Sequence, residues 1–199
     1  MTASKAPIRH GSAAARDDRQ ADETMLLRNI GSLLPYHNNI EPTVIVAAQN
    51  RMIADTDAGR TVFHDFYTPQ QKREDPTREN NGLFFFRGTP GAPFALIAPG
   101  GGFSYVGSFH EGFPHAAEIS SMGLNAFVLK YRAGQGGTVA TRDLAAALSY
   151  IIRNADQLGV GTAAYSLWGS SAGARMAASI GSHGTASSGE TSYPSLQPW

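Results

Sequence analysis

The chain has 199 residues, enough for one domain with a sizeable hydrophobic core. Sixteen Lys and Arg residues balance sixteen Asp and Glu residues, and this zero formal charge argues against a nucleic-acid partner or an anionic membrane surface. The absence of cysteine excludes a disulfide framework, a thiolate nucleophile and a Cys-ligated metal. The sequence contains no apolar run of about 18 residues that would span a membrane, and no signal-peptide core. We therefore expect a cytoplasmic protein that acts on a neutral or small polar molecule, with no cofactor and no metal.

The N-terminal third has a weak secondary-structure pattern. Residues 1–24 are polar and are interpreted as a flexible N-terminal arm, and residues 25–30 as one short amphipathic turn. Residues 43–52 form an apolar run that is too short to distinguish a helix from a strand, so both remain open. Residues 61–66 alternate as a strand does, and residues 70–81 are predicted to be a charged loop.

From residue 83 onward the pattern becomes regular. Two apolar runs separated by Gly and Pro predict a hairpin at one edge of a sheet. Strands then alternate with helices, and the longest helix is predicted to end at Gly159. Such alternation is typical of βαβ units on a parallel sheet, so the sequence predicts an α/β fold. The predicted strands are 83–86, 94–98, 125–131 and 165–168; the predicted helices are 115–122, 141–158 and 172–180; and residues 185–199 are an irregular tail.

The pentapeptide GSSAG at residues 169–173 lies between the last predicted strand and the last predicted helix. A serine on a tight strand-to-helix turn, with glycine two residues before and after it, is typical of the nucleophile elbow of serine hydrolases. The glycines leave room for the strained turn, and the serine hydroxyl then projects above the sheet. Ser171 is therefore the predicted nucleophile, whereas Ser170 lacks the glycine flanks. A plain Gly/Ser-rich turn is the alternative.

Three glycines, Gly100 to Gly102, follow the strand predicted at 94–98. Because they carry no side chain, their backbone N–H groups can approach a substrate oxygen closely. We expect Gly101 and Gly102 to form an oxyanion hole together with the N–H of Ala172, at the start of the next helix. A flexible turn and a phosphate-binding loop are the alternatives. The phosphate loop is disfavoured because neither G-K-[ST] nor the G-x-G-x-x-G period is present.

The order of these motifs resembles that of α/β-hydrolase esterases. Within that superfamily the chain looks like the acetyl esterase and acetylxylan-esterase-like group, which is related to the hormone-sensitive-lipase-like enzymes. The resemblance extends over about residues 30–184 and is most specific in PGGGFSY at 99–105, FHEGFP at 109–114 and NAFVLKYR at 125–132. One departure is Pro99, which stands where the group usually has a histidine. We expect this departure to loosen the anchoring of the glycine loop.

The resemblance implies an α/β-hydrolase fold, with a mostly parallel sheet and helices on both faces. It also implies hydrolysis of short-acyl esters, such as acetyl esters on carbohydrate, through an acyl-enzyme. Residues 25–184 are then a partial α/β-hydrolase domain whose C-terminal strands are missing. A peptidase of the same fold is disfavoured, because the sequence has no propeller or lid domain.

A serine nucleophile needs a base, and the base needs an acidic partner. In this fold the acid and then the histidine follow the serine along the chain. Only 28 residues follow Ser171, and their single histidine, His183, precedes their single acidic residue, Glu190. If the chain after Ser171 is helical, His183 lies about 18 Å away, at about 1.5 Å per residue. The chain is therefore interpreted as truncated after the elbow, and a catalytically inactive hydrolase-fold protein is the alternative to an esterase.

Further expectations concern side chains outside these motifs. Arg132 and Asp143 are predicted to form an ion pair between a strand end and the longest helix. Trp168 is predicted to lie in the core. His110 and His115 are predicted to be partly exposed, with the role of a substitute base as the alternative. Without its later strands, the sheet is expected to have an unpaired edge through which the protein self-associates.

Overall fold

The structure, a computed structural model, describes residues 41–185 together with Leu26 and Asn29. The arm predicted at 1–24, most of the turn predicted at 25–30 and residues 186–199 of the predicted tail lie outside the described residues. None of the helices in the described part is long and apolar enough to cross a membrane. The described strands are β1 (Phe63–His64), β2 (Gly82–Phe86), β3 (Phe94–Ala98), β4 (Asn125–Lys130) and β5 (Tyr165–Gly169); the α-helices are α1 (Pro42–Asp57), α2 (Pro69–Glu74), α3 (Phe113–Ser121), α4 (Gly137–Arg153), α5 (Ala155–Leu158) and α6 (Ala172–His183).

The five strands form one mixed sheet in the order β1-β2-β4-β3-β5. Strands β4, β3 and β5 run parallel, whereas β2 pairs antiparallel with both β1 and β4. The hairpin predicted between residues 83–86 and 94–98 is wrong, because β4 lies between these two strands. Asn125, the first residue of β4, holds their connection in place. Its Oδ1 accepts a hydrogen bond from Gly88 N at 3.0 Å, and its Nδ2 donates to the Ala92 carbonyl at 2.9 Å.

Alternate residues of the strands face two separate hydrophobic cores. One core lies between the sheet and the helices α4 and α6, and the other lies between the sheet and the helices α1 and α3. The sheet therefore carries helices on both faces, as predicted. Representative members of the first core are Leu96, Phe127, Leu144, Leu148 and Met176, and those of the second are Ala48, Met52, Ile97, Phe113 and Val128.

Several helices differ from the sequence prediction. The choice left open at residues 43–52 is resolved as helix α1. The loop predicted at 70–81 is wrong in part, because it contains α2 and a 3₁₀ turn at Pro76–Arg78. Helix α2 begins with a capping box, in which the side chains of Thr68 and Gln71 each accept from the other residue's backbone N–H. The helix predicted at 141–158 divides at Asn154 into α4 and α5.

Among the described strands, β5 has a neighbour only on the side of β3. Tyr165 and Leu167 pack against the core of α4 and α6, whereas Trp168 alternates to the opposite face and is 45% exposed. The prediction that Trp168 lies in the core is therefore wrong, because the described residues leave this side of the edge strand uncovered. Self-association through this edge stays a prediction.

The predicted ion pair between Arg132 and Asp143 is confirmed, with 2.8 Å between Nη2 and Oδ1. Asp143 is fully buried, and its carboxylate also accepts from the hydroxyl of Tyr67 at 2.6 Å and from Nδ2 of Asn81 at 2.9 Å. A buried carboxylate is tolerated when its acceptor positions are filled in this way. The network ties the C-terminal end of β4 to α4, at the end of the parallel strands where GSSAG and the glycine loop lie.

Candidate active site

Ser171 occupies the turn between β5, which ends at Gly169, and α6, which begins at Ala172. Its backbone angles are φ 48° and ψ −115°, a region that side-chain-bearing residues adopt only under strain. A Cβ on Gly169 would collide with the backbone of Gly173, and a Cβ on Gly173 would collide with the carbonyl of Ala98 in β3. The two glycines of GSSAG therefore let α6 pack directly on the strands, as predicted.

The first turn of α6 leaves one backbone donor open. The N–H groups of Gly173 and Ala174 donate to the Ser170 carbonyl, and that of Arg175 donates to the Ser171 carbonyl. Within the described part of the chain, the N–H of Ala172 has no such acceptor. An open N–H at the positive end of a 12-residue helix can bind an anion or a developing oxyanion. This position suits the predicted oxyanion role of Ala172, which stays a prediction.

The glycine loop leaves β3 directly and adopts a conformation that favours glycine. Gly101 has φ 130° and Gly102 has φ 59°, and a Cβ on Gly101 would collide with the carbonyl of Tyr105. No acceptor for the N–H of Gly101 or Gly102 is found among the described residues. Phe103, the next residue, also has a positive φ of 61°, and its carbonyl accepts from Gly134 N at 2.6 Å.

The buried hydroxyl of Tyr131 holds the glycine loop in place through backbone carbonyl groups. It donates toward the carbonyls of Pro99 at 3.0 Å and Gly100 at 3.2 Å, and lies 3.3 Å from that of Tyr105. Burial, together with the negative charge of Glu111, raises the pKa of Tyr131, so the phenol keeps the proton that it donates. The expected loosening at Pro99 is therefore opposed by the contact between Tyr131 and the Pro99 carbonyl.

The glycine loop and the elbow meet because β3 and β5 are neighbouring parallel strands. Gly100 N lies 3.2 Å from Ser170 Oγ. A Cβ on Gly100 would lie 2.9 Å from the carbonyl oxygen of Ser170 and 3.0 Å from Cβ of Ser171. The structure thus brings together the two segments that the sequence analysis singled out, although the catalytic roles of their residues stay predictions.

Glu111 also lies in this region, and its role could not be predicted from the sequence. It belongs to a π-helical turn at Ser108–Gly112, and its Oε2 accepts from Gly100 N at 2.5 Å and from Ser170 Oγ at 2.6 Å. It lies within the segment FHEGFP, but nothing in the spacing of that segment indicates a contact with a loop 11 residues earlier.

His110, His115 and His183, the histidines weighed as candidate bases, lie in three different environments. His115 is exposed on α3, as predicted. His110 is partly exposed as a residue, as predicted, although its side chain is only 4% exposed. It is covered by Gly107, and its Nε2 lies 3.6 Å from Glu111 Oε1. His183 ends α6, about 18 Å along the helix from Ser171 at about 1.5 Å per residue. Among the described residues, no side chain forms a hydrogen bond with Ser171 Oγ.

No family model matches the sequence, and no curated protein matches it. Solved structures do match. The acetyl ester-xyloside bifunctional hydrolase from Caldicellulosiruptor lactoaceticus has 24% identity and a TM-score of 0.55, and the match covers 61% of this chain and 47% of that one. The thermophilic esterase Est2 from the planctomycete Thermogutta terrifontis, with propionate bound, has 18% identity and a TM-score of 0.52, covering 62% of this chain and 46% of that one. The same esterase with butyrate bound has 17% identity and a TM-score of 0.52, covering 62% and 45%.

The match therefore spans less than half the length of each of these solved structures. At such identities the likeness concerns the fold. A mixed, mostly parallel sheet with helices on both faces, a strand-to-helix turn at Ser171 and these structural neighbours agree with the predicted resemblance. The described residues form part of an α/β-hydrolase fold, in the arrangement shared by these esterases.

Proposed function

We propose that this protein hydrolyses carboxylic esters through an acyl-enzyme on Ser171. The observation that carries the proposal is the strained position of Ser171 on the turn from β5 to α6, beside the glycine loop. In the proposed reaction Ser171 Oγ attacks the ester carbonyl carbon, a base takes the hydroxyl proton, and the alcohol leaves with that proton. Water then attacks the acyl carbon, which releases the carboxylic acid and regenerates the Ser171 hydroxyl.

In this mechanism the carbonyl oxygen becomes negatively charged, and backbone N–H groups would stabilise it. The proposed donors are Gly101, Gly102 and Ala172. Two observations support this assignment: these N–H groups have no acceptor among the described residues, and the loop that carries two of them lies against Ser171. Loss of a single oxyanion donor typically lowers kcat by about 10²–10³.

The proposed substrate is a small ester with a short acyl group, including acetyl esters of carbohydrate. The balanced charge of the chain suits a neutral substrate. The structural neighbours support a short acyl group, because one is an acetyl ester-xyloside hydrolase and the other binds propionate and butyrate. A cytoplasmic location stays a prediction.

The base and its acidic partner are the remaining requirement of the proposed reaction. Among the described residues, His183 lies too far along α6, and His110 faces Glu111. The chain on its own is therefore expected to hydrolyse p-nitrophenyl acetate barely above a denatured control. The inactive alternative predicts the same weak rate, so the test must supply the base.

Imidazole in solution can replace a missing histidine base. An assay with added imidazole therefore distinguishes an esterase from a catalytically inactive protein. We expect the rate of p-nitrophenyl acetate hydrolysis to rise with imidazole concentration more steeply for the unmodified chain than for Ser171→Ala. The difference should decrease from acetate to octanoate esters. Ser121→Ala, at an exposed position on α3, is the matched control and should behave like the unmodified chain. Equal rates for the unmodified chain and Ser171→Ala at every imidazole concentration would establish the inactive alternative.

A further inference from the structure

We propose that Glu111 is a positioning residue that fixes the glycine loop against the nucleophile elbow. This inference rests on the proposed function, because it concerns the alignment of the same oxyanion donors. One carboxylate oxygen, Oε2, accepts from the backbone N–H of Gly100 at 2.5 Å and from the hydroxyl of Ser170 at 2.6 Å. Glu111 thereby joins the residue that opens the glycine loop to the residue that precedes the nucleophile.

The side chain of Glu111 is closely packed against neighbouring residues of its own turn. Its backbone N–H donates to the Gly107 carbonyl at 2.9 Å, in the π-helical turn at Ser108–Gly112. A Cβ on Gly107 would lie 3.3 Å from Glu111 Oε2 and 2.9 Å from Cε1 of His110, so this glycine allows both side chains to pack closely. The Glu111 side chain is only 18% exposed. Its contacts with Gly100 and Ser170 are therefore a packed feature of the loop and not a surface contact.

The planarity of the peptide bond connects these contacts to the predicted oxyanion donors. In a trans peptide the C=O and the N–H point in opposite directions. The Pro99 and Gly100 carbonyls both point toward the Tyr131 hydroxyl, so the N–H groups of Gly100 and Gly101 both point away from it. Glu111 holds the first of these N–H groups. The N–H of Gly101 has no acceptor among the described residues, and it lies on the side of the loop that faces away from Tyr131.

The proposed effect on catalysis is through orientation. A carboxylate cannot itself stabilise a developing oxyanion, because the two charges repel each other. Oxyanion donors must lie within about 3 Å of the oxygen, and a displacement of about 1 Å can lower the rate about 100-fold. Tyr131 and Glu111 hold the loop from opposite sides, so loss of the Glu111 contacts would let the Gly100 and Gly101 peptides tilt.

Two substitutions of similar size separate hydrogen bonding from packing at this position. Glu111→Gln keeps an oxygen that can accept from both Gly100 and Ser170, whereas Glu111→Leu keeps most of the volume and removes the acceptor. In the imidazole-supplemented assay we expect Glu111→Leu to lower the Ser171-dependent kcat about 10- to 100-fold with KM changed less than about threefold. We expect Glu111→Gln to retain kcat within about threefold of the unmodified chain. Equal kcat values for the two variants would overturn the proposal.

Amide hydrogen exchange of residues 99–105 provides a readout that does not require activity. We expect Glu111→Leu to accelerate exchange in this segment about tenfold or more, and Glu111→Gln to leave it near the unmodified rate. Glu118→Leu and Glu118→Gln, on the exposed face of α3, are the matched controls and should leave both readouts unchanged. If Ser171-dependent hydrolysis is absent from the unmodified chain, the proposed function fails. The exchange result then decides the role of Glu111 alone, and an unaltered segment in Glu111→Leu would refute it.

Discussion

Gly173, in the first turn of α6, lies so close to the Ala98 carbonyl at the end of β3 that no Cβ fits between them. This contact sets how closely α6 approaches the sheet, and with it the position of the Ser171 turn. The Ala98 carbonyl belongs to the backbone and not to the end of a flexible side chain. It therefore cannot move aside for a larger residue without a large cost in free energy.

We expect Gly173→Ala to lower the free energy of unfolding by about 2 kcal/mol or more, because the new methyl group overpacks the interface between α6 and β3. Gly181 is a matched control in the same helix, since a Cβ there would meet no atom within 4 Å. Gly181→Ala should raise the free energy of unfolding by about 0.5–1 kcal/mol, because alanine is the better helix former. Urea denaturation measures both changes, and a neutral Gly173→Ala would contradict the close packing of the elbow.

Tyr131 is expected to stabilise the glycine loop through its hydroxyl. Tyr131→Phe should lower the free energy of unfolding by about 1–3 kcal/mol, because the Pro99 carbonyl loses its donor in a buried site, whereas the Gly100 carbonyl still accepts from Gly107 N. Tyr150→Phe, on α4, is the control and should change stability by less than about 0.5 kcal/mol. Equal losses in the two variants, measured by urea denaturation, would show that the hydroxyl contacts of Tyr131 do not hold the loop.

Much of the fold follows from local sequence patterns. Leu144, Leu148 and Ile151 have the spacing of one helix face within the helix predicted at 141–158, and all three are fully buried in α4. The pairing of β2 with β3 was predicted wrongly, because these strands are close in sequence while the strand that lies between them, β4, comes later in the chain. Helix α2 was missed even though Thr68 and Gln71 have the spacing of a capping box.

The candidate site, like the fold, could be predicted from the sequence only in part. The positions of Ser171 and the three glycines could be predicted, because the strained turns that they form require glycine at fixed distances along the chain. The contacts of Glu111 could not, because they depend on how a π-helical turn packs against a loop and an elbow from other parts of the sheet. The burial of Trp168 was predicted wrongly, because its exposure depends on what covers the face of β5 opposite Tyr165 and Leu167.

His64 gives stability a pH dependence that can be measured. Burial, and then the positive charge of Arg87, hold the pKa of His64 below its usual 6.5 in the folded protein. Below that pH the unfolded chain binds the proton more readily than the folded protein does. The contribution of neutral His64 is therefore fully present above about pH 6.5 and is lost as the pH falls from there toward the folded-state pKa.

We expect His64→Gln to reduce the loss of unfolding free energy between about pH 7.5 and pH 5.5, because the variant has no group at this position that titrates in the range. Urea denaturation across the range measures the slope for both proteins. Parallel slopes would show that His64 does not contribute to the pH dependence.

Among the described strands β5 lies at the edge of the sheet, and we expect it to cause concentration-dependent self-association. Trp168 is 45% exposed beside this edge, and an unpaired strand with an apolar side chain can pair with another chain. Sedimentation velocity should detect oligomers in the unmodified chain, and Trp168→Lys should shift them toward monomer. Met122→Lys is the control, because Met122 is 64% exposed but follows α3 and is not part of β5. A monomer at every concentration of the unmodified chain would refute the prediction.

Acylation of Ser171 is the central claim, and intact-protein mass spectrometry tests it most directly. The chain is mixed with p-nitrophenyl acetate and imidazole, quenched in acid, and digested to locate the added acetyl group. We predict one acetyl group per chain on the peptide that contains residues 169–173, present in the unmodified chain and in Ser121→Ala, and absent from Ser171→Ala. An acetyl group on that peptide in Ser171→Ala, or no acetyl group on that peptide in the unmodified chain, would contradict the assignment of Ser171 as the nucleophile.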